Sequence, residues 1–293
     1  MKINFPLLAL AVGAFAIGTT EFSPMGFLPE IANDLSVSIP QAGLLISAYA
    51  VGVMIGAPLM TLWLARFPKK TALILLMAIF TIGNVLATVA PDYMSLLGAR
   101  LITSLNHGAF FGLGSVVAAS VVPKDKQASA VAMMFMGLTI ANIGGVPLAT
   151  WLSQNTSWRM AFAAISILGI MTMLALWKAL PQDHDVVKPN VAKELRVLTR
   201  APVVLALLTT VMSAGAMFAL YTYIAPSLHV FMQASPQTIT LMLVLIGIGF
   251  SIGNHLGGKF ADLSLEKTLI GFLVLLMVMM LVFPVLAQTT VGA

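Results

Sequence analysis

Apolar residues run along this chain in stretches of about 20, the length an α-helix needs to cross the hydrocarbon of a bilayer. Such stretches recur at roughly 5–30, 43–65, 71–90, 93–121, 127–152, 158–180, 202–228, 236–258 and 268–288. Each is predicted to be a membrane-spanning helix, and together they predict an all-α polytopic membrane protein. The polar turns between them, such as Arg66 to Lys70 or Val122 to Lys126, are too short to hold a folded extramembrane domain. Only 181–201 breaks the rhythm, with Asp183, Asp185, Lys188, Lys193, Glu194, Arg196 and Arg200 in one long connection. This divides the chain into a six-helix bundle over 1–180, a linker over 181–201 and a partial second bundle of three helices over 202–293.

Composition hardens the membrane reading. Hydrophobic residues make up 59% of the 293 positions and charged residues 9%, and mean hydropathy is +1.00, so the exterior must face lipid rather than water. Cysteine is absent and the four histidines fall in no metal-binding spacing, so neither a metal nor a cofactor is expected. The net charge of +5 does not point to nucleic acid, because the basic residues are spread between apolar stretches. They instead report topology. Alternate loops place Lys2, Arg66, Lys69, Lys70, Lys124, Lys126, Lys178, Lys188, Lys193, Arg196, Arg200, Lys259 and Lys267 on one side and Arg159 on the other. The positive-inside rule therefore predicts a cytoplasmic N-terminus and linker. Lys2 followed by an apolar run and Ala14-Phe15-Ala16 has the outline of a cleavable signal. The apolar character resumes through Phe22, Met25, Phe27 and Leu28, which favours a first spanning helix.

Sliding the chain by 197 residues superposes Gly52 on Gly249, Ile55 on Ile252, Gly56 on Gly253, Leu59 on Leu256, Lys70 on Lys267 and Thr71 on Thr268. The second span and its loop thus recur as the eighth, with six spans between the copies, the signature of two parallel six-helix halves. Gly52 and Gly56, Gly108 and Gly112, and Gly249, Gly253 and Gly257 are spaced for close helix approach. In the fifth span Gly137, Ala141, Gly144, Gly145 and Pro147 predict tight packing and a bend.

Ionisable groups within spans are costly and rare, so each is a functional candidate. Glu21, in the run Gly18-Thr19-Thr20-Glu21-Phe22, is the leading proton-coupling candidate: a membrane carboxyl can take a proton from one side and release it to the other as water access alternates. Alternatively it is a neutral group bonded to a neighbouring helix, or lies at the interface. Arg100, Thr103, Ser104 and His107 fall at i, i+3, i+4 and i+7, which places them on one stripe of the fourth span. Arg100 could hold a carboxylate such as Glu21 or a substrate oxygen. His107 could relay protons or be a packed imidazole with both nitrogens satisfied. Asn106 and Asn142 are candidate hydrogen-bonding groups for substrate, or for a partner helix, as is Asn254. No nucleophile or cofactor constellation suggests an enzyme.

These features resemble the major facilitator superfamily, whose transporters have two six-helix halves and a repeated loop motif, roughly G-x-L-A-D-R-x-G-R-K, after helices 2 and 8. Gly258-Lys259-Phe260-Ala261-Asp262, with Lys267 at the end, is similar to the second copy. The first copy keeps Arg66, Lys69 and Lys70 but has Thr61, Ala65 and Pro68 where Gly, Asp and Gly are usual. The resemblance implies a cytoplasmic gate formed by Lys69, Lys70, Gly258, Asp262 and Lys267. Arg100 with Thr103 and Ser104 resembles the helix-4 motif R-x-x-Q-G, whose arginine is implicated in proton coupling. The stretch from Gly137 to Pro147 resembles the helix-5 motif of the antiporters. Thr20-Glu21-Phe22, the run Asn106-His107-Gly108-Ala109-Phe110-Phe111-Gly112, and Ala141-Asn142 before Gly145-Val146-Pro147 resemble the sugar-efflux and purine-efflux branch of drug:proton antiporters. This implies efflux of a small polar or amphipathic compound, such as a sugar, nucleobase or drug, in exchange for protons across a bacterial inner membrane. Uptake by proton symport would use the same motifs. Against the family's twelve helices the nine seen here imply an incomplete second half, so a truncated, transport-inactive protein is the other expectation, with the missing helices supplied by a longer native chain.

Overall fold

The computed structural model describes residues 4–181 and 199–286, with backbone alone at 125, 128, 254–255, 258–259, 261–263, 265 and 284–286. Residues 182–198, nearly all of the expected linker, lie outside the described residues. The helices are α1 (Phe5–Gly26), α2 (Leu28–Asp34), α3 (Ile39–Leu64), α4 (Lys69–Thr88), α5 (Tyr93–Ser104), α6 (His107–Ser120), α7 (Gln127–Ile140), α8 (Val146–Asn155), α9 (Trp158–Ala179), α10 (Ala201–Thr222), α11 (Ile224–Met232), α12 (Pro236–Leu263) and α13 (Leu265–Leu286). Among the described residues, nine helical stretches are long and apolar enough to cross a membrane, and they fall where the apolar stretches predict. Short polar caps start them. Asn4, Ser38, Asp92 and Ser235 each accept the backbone N–H three residues on, with Pro6, Pro40 and Pro236 in the first turns of α1, α3 and α12.

Several spans are interrupted rather than continuous. The first ends at Gly26, and the chain turns at Phe27 before restarting as α2. The fourth breaks at Leu105 and Asn106, between α5 and α6, although both residues stay near helical dihedrals. In the fifth, the expected bend takes the form of a π-helical turn over Ala141–Gly145, where the Val146 N–H reaches back to the Ala141 carbonyl. Pro147 brings no N–H to this region, and widening the turn accommodates the gap. Ser and Thr side chains within spans, including Thr81, Thr172 and Ser166, bond the carbonyl four residues earlier. Hydroxyl groups are thereby satisfied without water.

The first six spans pack into one bundle around α1, which contacts α7, α8 and α9, while α4 lies against α5 and α9. Its core joins Leu10 and Ile17 of α1 to Phe80, Phe110, Trp158 and Phe162. A second cluster ties this half to the other three spans: Phe22, Met25 and Ile46 meet Tyr221, Ile224 and Leu243. α10 and α13 bury none of their most apolar windows inside the protein, the arrangement of helices whose sides face lipid. Among the described residues the architecture is the one the resemblance implies, a six-helix half with three spans of a second.

Candidate functional site

Four helices of the first half bring together the three ionisable candidates read from the sequence and a tyrosine. Glu21 comes from the last third of α1, Tyr49 from α3, Arg100 from α5 and His107 from the first residue of α6. Nδ1 of His107 is 3.0 Å from the Tyr49 hydroxyl, and its Nε2 is 3.9 Å from a Glu21 carboxylate oxygen. With the hydroxyl donating to Nδ1, the imidazole proton sits on Nε2 and faces the carboxylate, a geometry suited to passing a proton. Arg100 is 1% exposed. Its guanidinium lies 4.1 Å from the centre of the Tyr49 ring and donates to the Thr20 carbonyl at 2.9 Å. Arg100, a candidate to hold Glu21 or a substrate oxygen, here bonds the peptide next to Glu21. The Thr20 hydroxyl in turn donates to Asn84 Oδ1 of α4 at 2.6 Å, and the Asn84 amide donates to the Phe80 carbonyl at 2.9 Å.

The polar stripe of the fourth span survives its break. Arg100, Thr103 and Ser104 are buried and His107 half-buried, but Thr103 and Ser104 spend their hydroxyls on Ala99 and Leu101 of their own helix. Gly52 makes room for this stripe, since a Cβ there would strike the Ser104 side chain.

Beside the cluster, between α1, α3 and α10, opens a cavity of about 450 Å³. Glu21 and Tyr49 line it with Ser47, Phe218, Thr222 and Tyr223. The Phe22 ring stacks on Phe218 at 5.6 Å between centroids, which joins α1 to α10 beside it. Asn106 and Asn142 are not among the lining residues. Both are buried, the Asn142 amide donates to the Leu138 carbonyl at 3.1 Å, and neither Asn106 amide atom has a partner among the described residues. Tyr49, Thr20, Asn84, Phe218 and Tyr223 were missed as site residues from the sequence. Asn84 alone carried a usable signal, as an amide in the middle of an apolar span.

The candidate gate residues come from both halves of the chain. Lys70 donates to the Leu180 carbonyl at 2.8 Å, tying the start of α4 to the end of α9 within the first half. Lys69 precedes it in the same turn, and Lys267 is exposed near the start of α13. Of Gly258 and Asp262 only the backbone is described.

At the opposite end of the bundle, Asp34 at the end of α2 accepts from Arg159 at 2.5 Å and from the Trp158 indole at 3.0 Å. Arg159 also donates to the Ala90 carbonyl at 2.9 Å. The Arg159 hydrogen bond holds the Asp34 carboxyl below the usual carboxylate range. Glu30, one turn earlier, is pushed up by burial. It lines a second cavity with Gln154 and His229, near the hydrogen bond of 3.1 Å from Thr240 to Gln154 that joins the halves. Among the described residues no three His, Cys, Asp or Glu side chains come together as a metal site.

Residues 10–293 match the profile of the Major Facilitator Superfamily. The inner membrane transport protein YdhP of Escherichia coli (strain K12) is 66% identical over 293 residues, all of this chain and 75% of that protein. A protein of Helicobacter pylori described as "Probable sugar efflux transporter" is 29% identical over 86% of this chain and 65% of its own length. Among solved structures, a bacterial homologue of the human lysosomal transporter Spinster, in an inward-facing and unoccupied conformation, matches with a TM-score of 0.72. That match is 19% identical and covers 89% of this chain and 63% of that one, a likeness of fold. These relatives are transporters rather than enzymes, and this chain belongs to the major facilitator superfamily of membrane transporters.

Proposed function

We propose that the chain carries out proton-coupled efflux of a small polar or amphipathic solute, with Glu21, Arg100 and His107 as its proton-coupling set. One observation carries the reading: Glu21 lines the cavity of about 450 Å³ while facing His107 behind it. A carboxyl in that position is reached by solute and by proton alike, so occupancy of the cavity and protonation of Glu21 influence each other. The remaining polar lining, Ser47, Tyr49, Thr222 and Tyr223, suits a neutral solute with hydroxyl, carbonyl or ring nitrogen groups. The aromatic wall suits a flat or amphipathic one. Asn106 and Asn142 join the substrate path through rearrangement of the helices around them, and Lys69, Lys70, Gly258, Asp262 and Lys267 serve the cytoplasmic gate. The cytoplasmic N-terminus, residues 1–180 and 202–293 as rocking units, and residence in a bacterial inner membrane complete the reading.

Inverted membrane vesicles test it, with a labelled pentose and a labelled purine base as probes. An imposed proton gradient, acid inside, drives accumulation of at least one probe, and Glu21→Gln abolishes it. Accumulation unchanged in Glu21→Gln removes Glu21 from the mechanism. Movement of the probe down the proton gradient rather than against it makes the protein a symporter.

A further inference from the structure

Each N–H in an α-helix bonds the carbonyl four residues earlier, and proline has no N–H to give. Pro24 lies inside α1, so the carbonyl it leaves without a helical donor belongs to Thr20, the residue before Glu21. A peptide oxygen left unsatisfied in hydrocarbon is costly. The Thr20 oxygen is the one to which Arg100 donates, at 2.9 Å. The bond is held from both sides. The Thr20 hydroxyl is tied to Asn84, and the Arg100 guanidinium is stacked over the Tyr49 ring. A permanent cation within electrostatic reach of Glu21 thereby commits its Nη1 one peptide away from it, while its Nε and Nη2 have no hydrogen-bond partner among the described residues, and Glu21 faces His107 instead.

We propose that Pro24 is a positioning residue for Arg100: by withholding an N–H from the Thr20 carbonyl, it supplies the acceptor that keeps the guanidinium off the Glu21 carboxylate. The proposal rests on the reading of Glu21 as the proton carrier. The titratable and charged groups that face Glu21 are Arg100 from α5, His107 from α6, Tyr49 from α3 and Tyr221 from α10. Of these only Arg100 is a permanent cation. Any residue with an N–H at position 24 completes the helical bond to Thr20 and displaces Arg100. The guanidinium then takes Glu21 as its acceptor, and the carboxylate becomes harder to protonate.

The experiment follows labelling of Glu21 by dicyclohexylcarbodiimide, which attacks protonated carboxyl groups. The full chain is held in liposomes, the adduct is located by peptide mass, and Glu21→Gln serves as the blank. Half-labelling in Pro24→Ala, Pro24→Ser and Pro24→Gly moves to lower pH by about one unit or more relative to the unaltered protein. The effect belongs to the backbone, so any one of the three that reaches the membrane suffices. An α-hydroxy acid incorporated at position 24, which has neither ring nor N–H, restores the unaltered profile. Coincident profiles in the proline variants overturn the proposal, as does a shift that the α-hydroxy acid variant shares. Absence of Glu21 labelling in the unaltered protein anywhere between about pH 5 and about pH 9 overturns the proton-coupling reading and this proposal with it. Normal labelling without a shift overturns this proposal alone.

Discussion

Nε2 of His107 stands 3.9 Å from the Glu21 carboxylate, so two residues 86 positions apart in the chain share one site at the edge of the cavity. The Tyr49 hydroxyl fixes the other imidazole nitrogen at 3.0 Å, and with it the ring orientation.

Tyr49→Phe tests that orientation, because it removes the hydroxyl and keeps the ring on which Arg100 stacks. A single hydrogen bond contributes about 1 kcal/mol, so proton-driven transport should fall about five-fold with little change in thermal stability. Vesicle transport and melting of the purified protein, measured side by side, check both halves of the statement.

Arg100→Lys keeps the charge and should still fail. A lysine ammonium cannot both stack on Tyr49 and reach the Thr20 oxygen with the fork geometry of a guanidinium. Loss of a charge-assisted hydrogen bond of about 1.5–3 kcal/mol predicts a drop in transport of at least about ten-fold. Full activity in Arg100→Lys would mean that charge alone is required.

Gly52→Ala should destabilise the protein by about 1–3 kcal/mol, the usual cost of forcing a methyl group into a packed contact. The added carbon would strike Ser104. Gly112→Ala, in the same half, adds its carbon to open space and should change the melting temperature little. Equal effects at the two positions would contradict the packing of α3 on α5.

The Asp34–Arg159 pair should make stability fall in acid. The folded-state value of Asp34 is depressed by its partner, so its contribution is fully present above the ordinary carboxylate value of about 4. The contribution is lost as pH falls through the lowered value. Because both groups are partly exposed, its size is below about 1 kcal/mol. Melting curves from neutral to acid pH should fall less steeply in Asp34→Asn than in the unaltered protein.

The nine spans and the ionisable candidates Glu21, Arg100 and His107 were legible in the sequence. Apolar length against bilayer thickness and the scarcity of charge in hydrocarbon are properties of local sequence. The stripe from Arg100 to His107 was legible for the same reason, since helical periodicity places residues on a face whatever that face meets. What it meets was not. Tyr49 reads as one more amphipathic residue in an apolar span until the packing of α3 sets it between Arg100 and His107. That Asn106 sits at the break before α6 and Asn142 in the π-turn before α8, outside the lining of the cavity, was not legible either. The bond of Arg100 to the Thr20 carbonyl depends on a proline in another helix, and on Asn84 in a third. Residue type and spacing determined which groups must be inside the membrane and which helix face each occupies. Tertiary packing alone decided which of those groups touch, because in lipid, where every helix is equally apolar outside, close backbone approach and pairing of polar groups select the neighbours.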